Sequence, residues 1–283
     1  MTYLLVGTYA LLGAVAGSFI TALVPRLRSG QSIVRDRSRC IHCGQVLGWR
    51  ELIPLLSFIA ERGRCRSCRR PIPWTYPAVE LITAFLFAGL GWALAHGVIA
   101  PAPFLVSAFG GTLDAPIPLE TAASFIYYAV FITGAVAVSL YDFFYRLIPG
   151  GLVWILVAIA TIARVGAGIE DGNLAGFFNS AEVGLIAFGV FWSLWFFSRG
   201  RGMGRGDADV AAAIGLYLEP AVAIAGFLFA LWLGALVGIL LVAFGRFSWR
   251  SAIPFAPFLF AGALVALASA RSLNPIISSL YGF

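Results

Sequence analysis

Long apolar runs without a single charge constrain the fold of this chain more than any other feature of its sequence. Examples of such runs are residues 3–24, 121–140 and 221–244. Each is long enough for a helix to cross the hydrocarbon layer of a bilayer, which is ~30 Å thick and needs about 20 helical residues. Only 11% of the 283 residues are charged, against roughly 25% in an ordinary soluble domain. The sequence therefore predicts a membrane protein.

We expect an all-α polytopic membrane protein with about eight transmembrane helices and a cytoplasmic loop module between the first and the second. The predicted domains are a first transmembrane helix (1–24), the loop module (25–77), a second transmembrane helix with an outer loop (78–120) and a six-helix membrane domain (121–283). Within this scheme the predicted spans are 3–24, 78–96, 121–141, 148–163, 175–198, 208–219, 221–245 and 253–270. The span at 208–219 is short for a crossing, because 12 residues make only ~18 Å of helix.

The distribution of basic residues sets the predicted orientation. All 19 basic residues are Arg, and eleven of them lie between residues 25 and 76, where there are only three acids. By the positive-inside rule this segment is cytoplasmic and the N-terminus lies outside. The same charges would attract the anionic headgroups of the lipid bilayer. We expect no nucleic-acid partner, because the topology already explains the arginines.

Four cysteines, all in this Arg-rich segment, form two C-x2-C pairs. The first pair is Cys40 and Cys43, and the second is Cys65 and Cys68. Two close pairs can supply four thiolates to one tetrahedral Zn²⁺, which closes the site and makes it structural rather than catalytic. Two disulfides are the alternative, but disulfides rarely persist in the reducing cytosol. The pattern therefore predicts a zinc-binding module, with the nearby His42 as a bystander.

Two aspartates stand at predicted cytoplasmic ends of apolar runs. Asp142 ends one run and is followed by Ile148-Pro149, whereas Asp207 follows Gly204-Arg205-Gly206. Either residue alone could be a helix cap or an interfacial charge. Two carboxylates from different helices on one membrane face can instead hydrolyse a peptide bond, one taking a proton from water while the other protonates the leaving group. We therefore interpret Asp142 and Asp207 as candidate catalytic residues, and we consider Glu80 and Asp209 as candidate substrate-binding carboxylates.

These residues sit in motifs that resemble those of the prepilin peptidase (type IV leader peptidase) family over nearly the whole chain. The N-terminal motifs are Gly17-Ser18-Phe19, the two C-x2-C pairs, the segment 53–57 (IPLLS) and the segment 76–81 (YPAVEL). The C-terminal motifs are D-x5-I-P at 142–149, GxGD at 204–207 and the segment 253–258 (IPFAPF).

The resemblance implies an aspartyl endopeptidase of the inner (cytoplasmic) membrane with its active site facing the cytoplasm. Its substrates would be type IV prepilins or type II secretion pseudopilins, from which it removes the leader peptide with Asp142 and Asp207 as the catalytic pair. Family members with such a cysteine-bearing loop often also methylate the new N-terminus with S-adenosylmethionine, so this cofactor is expected if that activity is present. The family usually has Lys where this chain has Asp209, Asn where it has Thr21 and Gly where it has Ala256.

Three other functions fit parts of the sequence. A presenilin-like intramembrane peptidase shares the GxGD pattern but leaves the cysteine module unexplained. A transporter or membrane scaffold could use both aspartates for ion coupling or helix pairing. An inactive homologue is the third alternative, because Asp209 reverses a charge beside the GxGD aspartate.

Overall fold

A computed structural model describes residues 2–33, 35–99, 101–102, 105, 119–245 and 253–281. The chain divides into two compact units, an N-terminal unit at Met1–Trp92 and a C-terminal unit at Ala93–Phe283. The described residues are helical apart from loops, turns and two isolated β-bridges. The predicted all-α fold class is therefore confirmed.

The helices that begin in the N-terminal unit are α1 (Thr2–Ser29), a 3-10 turn (Trp49–Leu52), α2 (Leu56–Ala60) and α3 (Thr75–Ala95). Those of the C-terminal unit are α4 (Leu119–Tyr145), α5 (Gly150–Glu170), α6 (Ala175–Ser198), α7 (Arg205–Tyr217), α8 (Pro220–Ala243) and α9 (Ala256–Tyr281). Helix α1 continues through Pro25, so it extends four residues beyond that proline and ends inside the predicted loop.

Six of these helices are long and apolar enough to cross a membrane: α1, α3, α4, α5, α6 and α8. Helix α7 has only 13 residues, or ~20 Å at 1.5 Å per residue. The apolar part of α9, Ala256–Ser272, is also shorter than the 18 residues that a candidate span requires. The chain is thus a multi-pass membrane protein, and the count of eight spans stays a prediction.

Helices α1 and α3 pack closely in the N-terminal unit because glycines of α1 leave room for the backbone of α3. A Cβ atom on Gly17 would lie 2.6 Å from the Cα atom of Glu80, and one on Gly13 would lie 2.8 Å from the Cα atom of Ala84. Small residues commonly permit such approaches between membrane helices. The glycine of the GSF motif is therefore required by its contact with the start of α3.

Helix α7 is the centre of the C-terminal unit. It packs against α5, α6, α8 and α9, and its side chains Val210, Ile214 and Tyr217 are completely buried. A short helix with neighbours on all sides is an internal element rather than a lipid-facing span. The sequence could not show this, because the lipid and the interior of a membrane protein select the same apolar residues.

The contact between α6 and α7 depends on two facing glycines. A Cβ atom on Gly215 would lie 2.5 Å from the Cα atom of Gly184, a distance that the two backbones can relieve only by moving apart. We expect Gly215→Ala to lower the thermal midpoint of the purified protein in detergent, since overpacking typically costs about 1–3 kcal/mol. Gly238→Ala on α8 is the matched control, because a Cβ atom at that position would meet no other atom within 4 Å. Equal stability of both variants would contradict the close packing.

Candidate active site and cysteine cluster

Asp207 lies at the start of α7 and divides its two carboxylate oxygens between different environments. The backbone N–H of Gly204 donates to Asp207 Oδ2 at 3.0 Å, which caps the helix. The other oxygen, Oδ1, is buried and has no hydrogen-bond partner among the described residues. The capping interpretation is therefore correct for one oxygen only. The second oxygen remains available to a water molecule or a peptide carbonyl.

The segment after Asp142 contacts the GxGD segment directly. A Cβ atom on Gly206 would lie 2.7 Å from Cβ of Ile148, so only glycine permits this approach. Asp142 itself is 6% exposed in the last turns of α4, and the backbone N–H of Ala256 hydrogen-bonds to it. The structure thus brings Asp142, the GxGD segment and the beginning of α9 together, and the contribution of α9 is one that the sequence did not predict.

The two carboxylates are close enough to influence each other electrostatically. Burial raises the pKa of Asp207 to about 7, the like charge of Asp142 adds to the rise, and the Gly204 N–H opposes it. Asp207 therefore holds its proton at neutral pH far more often than a solvated aspartate, and loses it as the pH rises above 7. Arg146 and Arg205, which could oppose this, are exposed.

The remaining candidate carboxylates have other contacts. Glu80 is buried near the start of α3 and accepts a hydrogen bond at 2.8 Å from the backbone N–H of Leu55. Leu55 has φ +60° and ψ −46°, a strained turn conformation for a non-glycine residue. Glu80 therefore fixes a strained loop of the module to α3, a contact that the sequence did not suggest.

Asp209 is partly buried at the start of α7. Its burial raises the pKa of its carboxyl group, and the positive charge of Arg205 opposes that rise.

A buried polar network at the other end of α7 was missed by sequence reasoning. Arg164 of α5 is 3% exposed and donates to Glu219 Oε1 at 3.1 Å and to the carbonyl oxygen of Tyr217 at 3.4 Å. The hydroxyl of Tyr127 donates to the same carbonyl at 2.7 Å, and the hydroxyl of Tyr217 donates to the carbonyl of Tyr127 at 2.8 Å. These groups satisfy a helix end that lies inside the protein. The sequence feature that could have predicted this network is Arg164 itself, an arginine within an otherwise apolar run.

The four cysteine sulfurs form one cluster in the N-terminal unit. The Sγ atoms of Cys40, Cys43, Cys65 and Cys68 all lie within 4.8 Å of one another, and those of Cys40 and Cys68 are 3.9 Å apart. Four thiolates ~2.3 Å from a tetrahedral zinc would be ~3.8 Å apart, whereas a disulfide requires ~2.05 Å. All four cysteines are free thiols. The donor set and its spacing therefore fit a metal ion, and the disulfide alternative does not fit.

The two C-x2-C pairs lie in equivalent turns. Cys40 N–H donates to the carbonyl of Gln45 and Cys65 N–H to that of Arg70, each at 2.9 Å. The residue that follows each second cysteine, Gly44 or Arg69, has a positive φ, +70° or +60°. The module is thus built from two copies of one cysteine turn, a repeat that is weak in the sequence because the copies share only their two cysteines and the arginine before the first of them.

Family models match both parts of the chain. The model described as "Bacterial Peptidase A24 N-terminal domain" matches residues 11–94, and that described as "Type IV leader peptidase family" matches residues 129–239. The first match contains the cysteine cluster, and the second contains both aspartates. No solved structure matches the chain.

Curated relatives agree with these models. A prepilin leader peptidase/N-methyltransferase of Bacillus subtilis (strain 168) is 32% identical over 260 residues, which cover 90% of each chain. One of Myxococcus xanthus (strain DK1622) is 36% identical over 83% of this chain and 63% of its own length. The type 4 prepilin-like proteins leader peptide-processing enzyme of Escherichia coli O78:H11 (strain H10407 / ETEC) is 28% identical over 70% of this chain and 64% of its own length. By its sequence, the chain belongs to the type IV leader peptidase family.

Proposed function

We propose that this protein removes the leader peptide of type IV prepilins or type II secretion pseudopilins, with Asp142 and Asp207 as its catalytic carboxylates. The observation that carries this assignment is the contact of Ile148 with Gly206, which joins the two aspartate motifs at one buried site. Matches to the family and to relatives named as leader peptidases support the substrate class.

The chemistry follows from the different surroundings of the two carboxylates. Asp207, whose pKa is raised to about 7 and which is therefore protonated in a substantial share of molecules at neutral pH, donates a hydrogen bond to the scissile carbonyl in that form. Asp142 accepts a proton from the attacking water, so the oxygen of that water forms a bond to the carbonyl carbon. The tetrahedral intermediate then collapses: the C–N bond breaks and the carbonyl double bond re-forms as Asp207 gives its proton to the leaving nitrogen, while Asp142 keeps the proton that it took from water. Oδ1 of Asp207 is the oxygen suited to contact the scissile carbonyl, because it forms no hydrogen bond with any described residue.

Zinc is the metal that we propose for the cysteine cluster. Four thiolates in tetrahedral spacing are typical of structural zinc sites and leave no open coordination position for catalysis. The metal would hold together the two equivalent turns of a module in which Cys65 is the only one of the four cysteines that is buried.

The orientation and the second activity are also proposals. Eleven arginines between residues 25 and 76 support a cytoplasmic location for the loop module, with the active site on the same face of the inner membrane and the N-terminus outside. Relatives that are named as N-methyltransferases support methylation of the new N-terminus with S-adenosylmethionine. Glu80 and Asp209 are proposed contacts to the substrate.

A mass measurement tests the proposed function. Full-length protein in bilayers is mixed with a full-length type IV prepilin, with and without S-adenosylmethionine. We expect the leader to be removed and, with the cofactor, the mature N-terminus to gain the mass of one methylene group. Uncleaved prepilin in the presence of folded protein would contradict the peptidase assignment. Cleavage without the added mass would contradict only the methylation.

A further inference from the structure

A groove in the loop module borders the cysteine cluster, since His42 and Arg64 are among its lining residues. No cysteine and no aspartate lines it. It has a volume of about 660 Å³, and its apolar wall includes Phe58, Ile59, Ile72 and Trp74. Arg62 and Arg64 also line it, and no acidic residue does. The groove therefore combines an apolar surface with two cations.

The groove adjoins the start of a helix that is long and apolar enough to span a membrane. Trp74 immediately precedes α3, one of the helices able to span the membrane, and is 76% exposed. Tryptophan is enriched at the level of the lipid headgroups. The ring of Phe58 lies 5.0 Å from that of Trp74, so α2 is at the same level. Ile59 of α2 is 70% exposed.

Hydrogen bonds hold the module to both membrane helices of this unit. Arg26 at the end of α1 donates to the carbonyl oxygen of Ile33 at 2.9 Å and to the hydroxyl of Ser38 at 3.4 Å. On the other side, Glu80 of α3 accepts from Leu55 at 2.8 Å. The module that contains the groove is therefore hydrogen-bonded to both of these helices.

The charges of the groove favour an anionic ligand. Arg62 and Arg64 are both exposed, and neither forms an ion pair with another residue of the part of the chain that the structure describes. A soluble phosphate would use the two guanidinium groups but not the apolar wall. An anionic lipid would use both.

We propose that this groove binds an anionic phospholipid of the surrounding bilayer. The phosphate lies against Arg62 and Arg64, and the upper part of an acyl chain lies against Phe58, Ile59 and Trp74. This site is separate from the proposed peptidase chemistry, so its test does not depend on leader cleavage.

Native mass spectrometry of the full-length protein tests the proposal. The protein is extracted with a neutral detergent from vesicles of equal amounts of phosphatidylglycerol and phosphatidylcholine, and the retained lipids are counted. We expect phosphatidylglycerol to be retained preferentially. The Arg62→Gln/Arg64→Gln variant should lose this preference by at least ~10-fold, because a charge-assisted hydrogen bond from a guanidinium group to a phosphate contributes about tenfold or more.

Two matched variants separate the groove from the overall charge. Arg35→Gln/Arg37→Gln removes the same charge at exposed positions that do not line the groove, and it should keep the preference. Ile59→Ser retains both arginines but should retain severalfold less phosphatidylglycerol. An equal loss in the two arginine variants would overturn the proposal, since it would show attraction by net charge alone. Displacement of the lipid by glycerol phosphate would also overturn it, because the apolar wall would then be irrelevant. Thermal midpoints and metal content verify that each variant is folded.

Discussion

Asp207→Asn should reduce leader cleavage by at least about 10³-fold, which is within the range of a lost general acid or base. Asparagine has the same shape, and its amide oxygen can still accept the hydrogen bond from the Gly204 N–H that caps α7. The fold should therefore survive. Asparagine cannot, however, donate a proton to the substrate as the protonated carboxyl group of Asp207 does. Initial rates of prepilin cleavage, followed by mass at saturating substrate, provide the measurement.

Asp142→Asn should have an effect of similar size, and the double variant should be scarcely worse than either single variant, because the two carboxylates act as one unit. Asp171→Asn is the matched control: Asp171 is exposed in the turn after α5, away from the aspartate motifs. The thermal midpoint decides between loss of chemistry and loss of fold. An unchanged or higher midpoint is expected for Asp207→Asn, since burying a neutral amide costs less than burying a carboxylate that ionises. Residual cleavage near the wild-type rate in either single variant would remove that aspartate from the mechanism.

Cys65→Ser should release the metal from the cysteine cluster and unfold the loop module. Cys65 is the buried member of the cluster, and structural zinc contributes on the order of 10 kcal/mol to the folding of small modules. The segment 30–74 has few buried apolar side chains, so little else can replace this contribution. We expect less than one bound metal per chain by elemental analysis and rapid trypsin cleavage at the arginines of the module.

Ser67→Ala provides the control for this experiment, because Ser67 is exposed within the same C-x2-C turn as Cys65 and Cys68. It should retain one metal per chain and the trypsin resistance of the wild type. Elemental analysis also identifies the metal, with zinc expected. Stoichiometric metal in Cys65→Ser would show that the cluster is not the binding site. Metal loss without new trypsin cleavage would show that the module folds without it.

The sequence was most informative where function depends on spacing along the chain. Two C-x2-C pairs predicted one metal cluster, because ligands three residues apart can approach the same ion, and the sulfur positions agree with this. The aspartates at the ends of apolar runs predicted a joint site, because a carboxylate is too costly to bury without a purpose. Helix ends were less accurate. Helix α5 runs to Glu170, beyond the predicted end at residue 163, because apolar patterns do not reveal where a helix leaves the membrane.

What the sequence determined by itself was the class of protein, the cysteines that cluster and the two aspartates proposed as catalytic, since hydrophobicity, C-x2-C spacing and charge placement are local properties. The tertiary structure alone decided that α7 is an internal helix, that Ile148 lies against Gly206 and that Arg164 closes the far end of α7 beside Glu219. These contacts join residues from different helices, and several arrangements of similar apolar helices satisfy the same hydropathy pattern. Only close packing at glycines and the need to satisfy buried polar groups select one of them.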